Sequence, residues 1–559
     1  MEDIVLDDKE NKNKQKFVNT IKNERKIQPK SFFSCPLSMI EFLLYTRDFT
    51  LAAACGVISA NFNLYIGNYL TFVVTSKIST NPQTTLFSCV LDLLILGSLL
   101  PQLSFLLFIS LNNSTKNSNN FEFRKALAIL IRDIIFFLSS IAIGFYRSTI
   151  LTAPILITPI LVFIWTFISI KVQSLEKIMS KSSSLRYFRL SGHLLLFFMN
   201  ISLGGLFGTK LVDLHLLKYP GDIFTIVIGI GTSSIQLANA YINFSPFFNK
   251  KFIKTESTQK ILKNDLVENN LNKKCVVFTV NENLEDSNNK DEEPKFLNNI
   301  IIWLRSQLLL VNNWPICFIF GLITCLIHAF GYPVFTRDTG LFFSVFEDFM
   351  DISTNLFKKV KWICFVYGTM GIIVFVSTTI WNCIFANMGN KLCQLIENKN
   401  QIKRINLNNL KMVPILSAEL YYGIFCILIS ICSALQGNRF MGLLAVIVFT
   451  FQVFLQHFIF HKSINGKQWK LALAFASTNG LQQASQAIAY TGGYLLVQNG
   501  LVQALNVFKI IQTMYLGSSG LTSLLFLSED FTKTTKELRL IKLKNTKIAP
   551  NDNNIDELA

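Results

Sequence analysis

The densest chemistry in the sequence lies between positions 479 and 490, where Asn479, Gln482, Gln483, Gln486 and Tyr490 follow one another. Their offsets from the first are three, four, seven and eleven. On a helix turning 100° per residue they share one face about 100° wide. Side-chain amides offer both N–H donors and C=O acceptors. A stripe of them can line a watery path or hold a polar solute, and it can also glue helices together in lipid. Gly492 and Gly493 follow, where a helix can bend or pack closely. Shorter stripes recur: Asn61, Tyr65 and Asn68; Gln236, Asn239 and Asn243; Gln452 and Gln456. Together they suggest one polar interior. The substrate-path candidates are Asn479, Gln482, Gln483, Gln486, Gln236, Asn239 and Asn61.

Charges inside apolar stretches form the second group of candidates: Asp92, Arg132, Asp133 and Glu419, with Lys509 further on. Such residues are costly in hydrocarbon and mark pathways or ion pairs. Asp92 and Glu419 suit a coupling proton or a pair with Arg132 or Lys509. Arg132 and Asp133, being adjacent, are expected to point in different directions and to serve ion pairs. His457 and His461 share a face, but two ligands make no metal site. A polar stretch from Gly331 to Lys361 carries Arg337, Asp338, Glu347, Asp348 and Asp351. It reads as a loop, either around a surface helix at Thr339 to Phe357 or as a lumen-facing site of an enzyme. No G-x-S-x-G, H-E-x-x-H or P-loop pattern occurs. No catalytic residue, metal or cofactor is expected.

The elements that must position these residues are helices in a bilayer. The 559 residues are 51% apolar and only 16% charged, with 51 Phe, against about 25% charged in soluble chains. Uncharged runs of about 20 residues recur, enough to cross about 30 Å of hydrocarbon. They are too continuously apolar for barrel strands. We read an all-α polytopic membrane protein with about twelve transmembrane helices in two six-helix bundles. The spans are near 49–75, 85–111, 125–145, 149–170, 190–208 and 222–247, then 313–334, 361–387, 412–435, 439–461, 470–496 and 502–527. The chain divides into an N-terminal tail (1–35), a first bundle (36–247), a linker (248–297), a second bundle (298–530) and a C-terminal tail (531–559).

Lys and Arg collect in alternate gaps, among them Lys171, Lys177, Lys181, Arg186 and Arg189 in one and Lys391, Lys403, Arg404 and Lys411 in another. The positive-inside bias then puts both termini and the linker in the cytosol. It also accounts for the net charge of +17 without nucleic acid as a partner. The linker runs from basic to acidic and Asn-rich, a composition expected to stay disordered. Its basic part and the basic tails are candidates for contact with anionic lipid. The partner expected throughout is the lipid bilayer, in the plasma membrane or an endomembrane. The eleven Cys lack metal or disulfide spacing.

Two six-span halves, cytosolic ends and a long cytosolic loop between the halves resemble the organisation of major facilitator proteins. That resemblance implies a polar site near the midplane, between two bundles that rock around it. The gap from Asn112 to Arg124 lacks that family's Gly-Asp-Arg-Gly-Arg type of signature. The expected function is a transporter-like protein that moves a small polar solute or lipid-linked substrate by alternating access. The second reading is an endomembrane enzyme or assembly factor of lipid or glycolipid synthesis. The topology carries a test. Asn112-Asn113-Ser114-Thr115 contains two overlapping glycosylation tripeptides, placed in the cytosol. Mass spectrometry of this peptide from eukaryotic cells should find no glycan, and a glycan there would invert the topology.

Overall fold

The computed structural model describes residues 39–75, 82–113, 118–176, 184–217, 219–264, 296–349, 356–399, 407–463 and 468–522. Among them there are no strands. Helices run in the order α1 (Met39–Thr75), α2 (Pro82–Asn113), α3 (Ser118–Arg147), α4 (Thr149–Ile155), α5 (Ile157–Glu176), α6 (Ser184–Asp213) and α7 (Gly221–Asn264). They continue as α8 (Phe296–Asn313), α9 (Pro315–Phe349), α10 (Leu356–Lys399), α11 (Leu407–Gly437), α12 (Arg439–Ser463), α13 (Gln468–Gln498) and α14 (Ala504–Thr522). Ten stretches are long and apolar enough to cross a membrane, by length and composition among the described residues. The protein is therefore an all-α, multi-pass membrane protein. Large apolar side chains such as Ile164, Phe167, Phe365, Phe451 and Phe454 are exposed, as a surface facing lipid requires.

Two expected elements differ. From Gly331 to Phe349 the stretch is not a loop: α9 runs without a break through Pro333 to Phe349. Thr336, Thr339, Phe342, Phe343 and Phe346 are buried there, while Arg337 is exposed. The charges that suggested a loop punctuate a helix whose other face is core. Of the charged residues of that stretch, Arg337, Asp338, Glu347 and Asp348 belong to α9, and Asp351 lies outside the described residues. The linker expected from 248 begins as helix, because α7 continues to Asn264. Residues 265–295 and both tails (1–35 and 531–559) lie outside the described residues. The span expected at 149–170 is present as one apolar stretch, Thr149–Lys171, interrupted at Leu156 between α4 and α5. Ser148 caps α4 by accepting from the Leu151 N–H at 3.3 Å, and Pro154 sits at its end. Proline leaves the backbone without a donor, which breaks the ladder there.

Contacts divide the chain into Met1–Asp48 and Phe49–Ala559. Within the second unit, the packing repeats when the first set of helices (α1 to α7) is laid on the second (α9 to α14). α3 packs on α7 as α11 packs on α14. α5 packs on α6 and α7 as α12 packs on α13 and α14. The two most extensive interfaces, α2 with α13 and α6 with α10, are one another's equivalents under that exchange. Both join the first set to the second, and the main apolar core draws on both sets, from Phe62 and Ile226 to Phe343 and Met514.

Small residues allow these approaches, as expected where lipid gives no hydrophobic drive between helices. A side-chain carbon added to Gly97 of α2 would meet Ala487 and the Gln483 carbonyl of α13, and one on Gly480 would meet the backbone of Pro101. On the equivalent side Gly371 of α10 faces Phe198. Ser202 Oγ of α6 donates to the Cys364 carbonyl at 2.6 Å. Gly480→Leu therefore cannot be absorbed without parting α2 from α13. Overpacking costs about 1–3 kcal/mol, so the unfolding temperature in detergent should fall by several degrees. An unchanged value would show that the interface is looser than described.

Candidate functional site

A cavity of about 280 Å³ opens inside the bundle. Its wall is built from single faces of several helices. α1 contributes Ser59, Phe62, Asn63 and Ile66; α2 contributes Leu100 and Ser104; α3 contributes Arg132, Asp133 and Phe136. α7 brings Phe224, Ile228, Thr232 and Gln236, and α6 and α9 bring Phe197 and Phe335. The opposite wall is α13 and α14: Thr478, Asn479, Gln482, Gln483 and Gln486, then Gln512, Tyr515 and Leu516. α13 and α14 are absent from the ten apolar stretches. Their polar residues face the cavity, while Leu473, Ile488 and Leu495 of α13 are exposed. A low overall hydropathy is compatible with lipid when the polar face is turned inward.

The centre of the polar wall is Arg132. Its Nε donates to Asp133 Oδ1 at 2.7 Å, and its Nη1 donates to Asn479 Oδ1 at 2.5 Å. Asn479 Nδ2 in turn donates to the Phe475 carbonyl at 2.7 Å. The expectation that Arg132 and Asp133 diverge is corrected: the long arginine side chain folds back along α3 and reaches its neighbour. Gln482 Nε2 donates to the Tyr515 carbonyl at 3.1 Å, tying α13 to α14. Gln512 Nε2 donates to the Tyr490 hydroxyl at 3.3 Å. Among the described residues, Gln236, Gln483 and Gln486 have no hydrogen-bond partner, and Gln486 is only 2% exposed.

One end of the cavity is closed. One turn or less beyond its wall lie Tyr69 on α1, Tyr490 on α13 and Phe508 on α14, all buried. The Tyr69 and Tyr490 rings meet edge to face at 4.9 Å, and Tyr69 donates to the Ala504 carbonyl at 3.0 Å. Phe508 packs between Phe224 at 5.6 Å and Phe343 at 6.3 Å. Thr336 and Thr513 share a hydrogen bond at 2.6 Å. At the same end Arg147 of α3 lies 3.5 Å from Asp222 of α7 and donates to Asn68 of α1 at 2.6 Å. Gly67 and Gly221 bring α1 and α7 close enough that neither tolerates a side chain.

Seven sequence candidates thus meet at one cavity: Asn479, Gln482, Gln483, Gln486, Gln236, Arg132 and Asp133. Asn61, Asn239, Asp92 and Glu419 are not on its wall. Asn61 donates to its own helix at the Val57 carbonyl, 2.9 Å away, and Asn63 takes its place, 200° further round. Glu419 is buried in α11, beside a separate core that includes Tyr421 and Tyr422. Gln452 and Gln456 are packing groups: Gln452 donates to Gln456, and Gln456 donates to the Ser477 carbonyl at 2.9 Å. Sequence reasoning missed Ser59, Asn63, Thr232 and Gln512, and it missed the Arg147–Asp222–Asn68 lock. The signal for the lock was an Arg and an Asp at the same ends of two spans.

No protein-family model matches the chain, and no curated protein matches it.

The lock can be measured. Arg147→Met strands a buried carboxylate, which costs about 3–5 kcal/mol, so the protein should lose most of its thermal stability. The double variant Arg147→Met/Asp222→Leu should recover much of the loss in a double-mutant cycle. Additive losses would show that the pair is not coupled.

Proposed function

We propose that the protein is a transporter that moves a small polar solute across the membrane by alternating access. In this reading twelve spans form two six-helix halves, with both termini in the cytosol. The observation that carries it is the cavity wall: polar residues from both sets of helices enclose one space, closed at one end, inside a lipid-facing bundle. Of the wall amides without a partner among the described residues, Gln486 is buried, Gln483 half-buried and Gln236 exposed, so this wall offers its amides to whatever fills the space rather than to neighbouring side chains.

The matched interfaces α2·α13 and α6·α10 support two halves related by an axis along the membrane normal, as in parallel-repeat transporters. Under the positive-inside topology α1, α3 and α13 run outward from the cytosol. The cavity then lies in the cytosolic half, and the Tyr69–Tyr490 and Arg147–Asp222 layer seals the other side. Rocking of one half on the other would part Arg132 from Asn479, which belong to different halves, and open the sealed end.

Cysteine accessibility tests the path. With native cysteines replaced, Gln483→Cys and Gln486→Cys should react with a membrane-impermeant thiol reagent from the cytosolic face of sealed vesicles. Tyr490→Cys should be protected in the same state. If Gln483→Cys and Gln486→Cys react from neither side, the path is wrong.

A further inference from the structure

The wall of the cavity also restricts what can enter it. We propose that the cavity takes a neutral, hydroxyl-rich solute of monosaccharide size, a claim that rests on the transport reading only for how the solute moves.

Charge is the first constraint. Arg132 and Asp133 are the only formal charges on the described wall, and they lie 2.7 Å apart. Each is already compensated by the other. An anion approaching Arg132 meets Asp133 beside it, and a cation approaching Asp133 meets the guanidinium. A zwitterion would have to break the pair to use both. An ion shedding its water here finds no free counter-charge.

Hydrogen bonding is the second constraint. Gln483 and Gln486 have no partner among the described residues, and each offers two donors and a carbonyl acceptor; Gln236, also without one, is exposed. Gln486 is buried to 2%, and the space its amide faces is the cavity it lines. Groups that must both donate and accept are matched by hydroxyls, which do both from one atom. Phe62, Phe136 and Phe335 supply apolar ring faces on the same wall, suited to the C–H faces of a saturated ring. The volume, about 280 Å³, falls just below the range of drug-sized ligand sites, about 300–1,000 Å³. It suits one ring.

The test uses the full chain purified in detergent. Thermal unfolding is followed with D-glucose, myo-inositol, L-alanine, succinate and choline, each at millimolar concentration. D-glucose or myo-inositol should raise the unfolding temperature and the three charged solutes should not. Gln486→Leu should weaken the sugar's affinity about tenfold, the loss of one good hydrogen bond, without lowering the baseline unfolding temperature. If that variant does not fold, Gln483→Ala carries the same expectation. Asp133→Asn should free Arg132 and confer stabilisation by succinate. Stabilisation of the native chain by L-alanine, succinate or choline, or by none of the five, overturns the proposal. Counterflow in proteoliposomes separates the two claims. Binding of sugar without counterflow removes the transport reading alone, and counterflow of L-alanine or succinate without sugar removes the solute class alone.

Discussion

Arg132 carries a charge into the interior of a helical bundle whose outer surface is made of Leu, Ile and Phe. Bulk water does not surround it there, and an uncompensated ion costs several kcal/mol. Asp133 meets the charge at Nε, and Asn479 takes a second donor at Nη1. That second bond runs from α3 to α13, from the first set of helices to the second. It fixes which way α13 faces, and the amide stripe turns inward with it. The remaining features of the site follow from this orientation: the amides line a space, the apolar back of α13 meets lipid, and α14 is held beside it through Gln482 and Tyr515.

The same helices are held by a different kind of force a few residues away. Between α2 and α13, and again between α6 and α10, glycine, alanine and serine let the backbones approach. Such contacts are dispersion and geometry, with little hydrogen bonding to break. Polar bonds such as Arg132–Asn479 are directional, and each has a discrete alternative in water or solute. An aromatic layer of Tyr69, Tyr490, Phe343 and Phe508 lies beyond the cavity wall, buried and in ring contact.

Parts of this were legible before any coordinates. The α13 stripe was readable because five polar residues at helical spacing in an apolar run have few explanations. The first stripe, Asn61, Tyr65 and Asn68, was equally periodic and sits on a different face from the cavity. There Asn61 satisfies itself on its own backbone, which spacing cannot reveal. The wall that α1 does offer, Ser59, Phe62, Asn63 and Ile66, mixes polar and apolar residues and gives no stripe. Arg147 and Asp222 sit at helix ends, where charge is ordinary. Their pairing depends on two helices being neighbours. The 331–361 stretch looked like a loop because Arg337 and Asp338 interrupt the apolar run, yet only Arg337 needs to reach the surface for α9 to continue.

The amino-acid sequence by itself determined that the chain is helical, that it lives in lipid, where most helices begin and end, and that α13 has a polar side. These follow from local properties: hydropathy over about 20 residues, helical period and the scarcity of charge. Tertiary structure alone decided which polar sides meet, that Arg132 folds back on Asp133, that α2 lies on α13 and α6 on α10, and that one end of the cavity is shut. Apart from the contact between the neighbours Arg132 and Asp133, each of those depends on residues far apart in the sequence, 162 positions for Ser202 and Cys364 and 347 for Arg132 and Asn479. A helix's own pattern says which face is polar and is silent on what that face will touch.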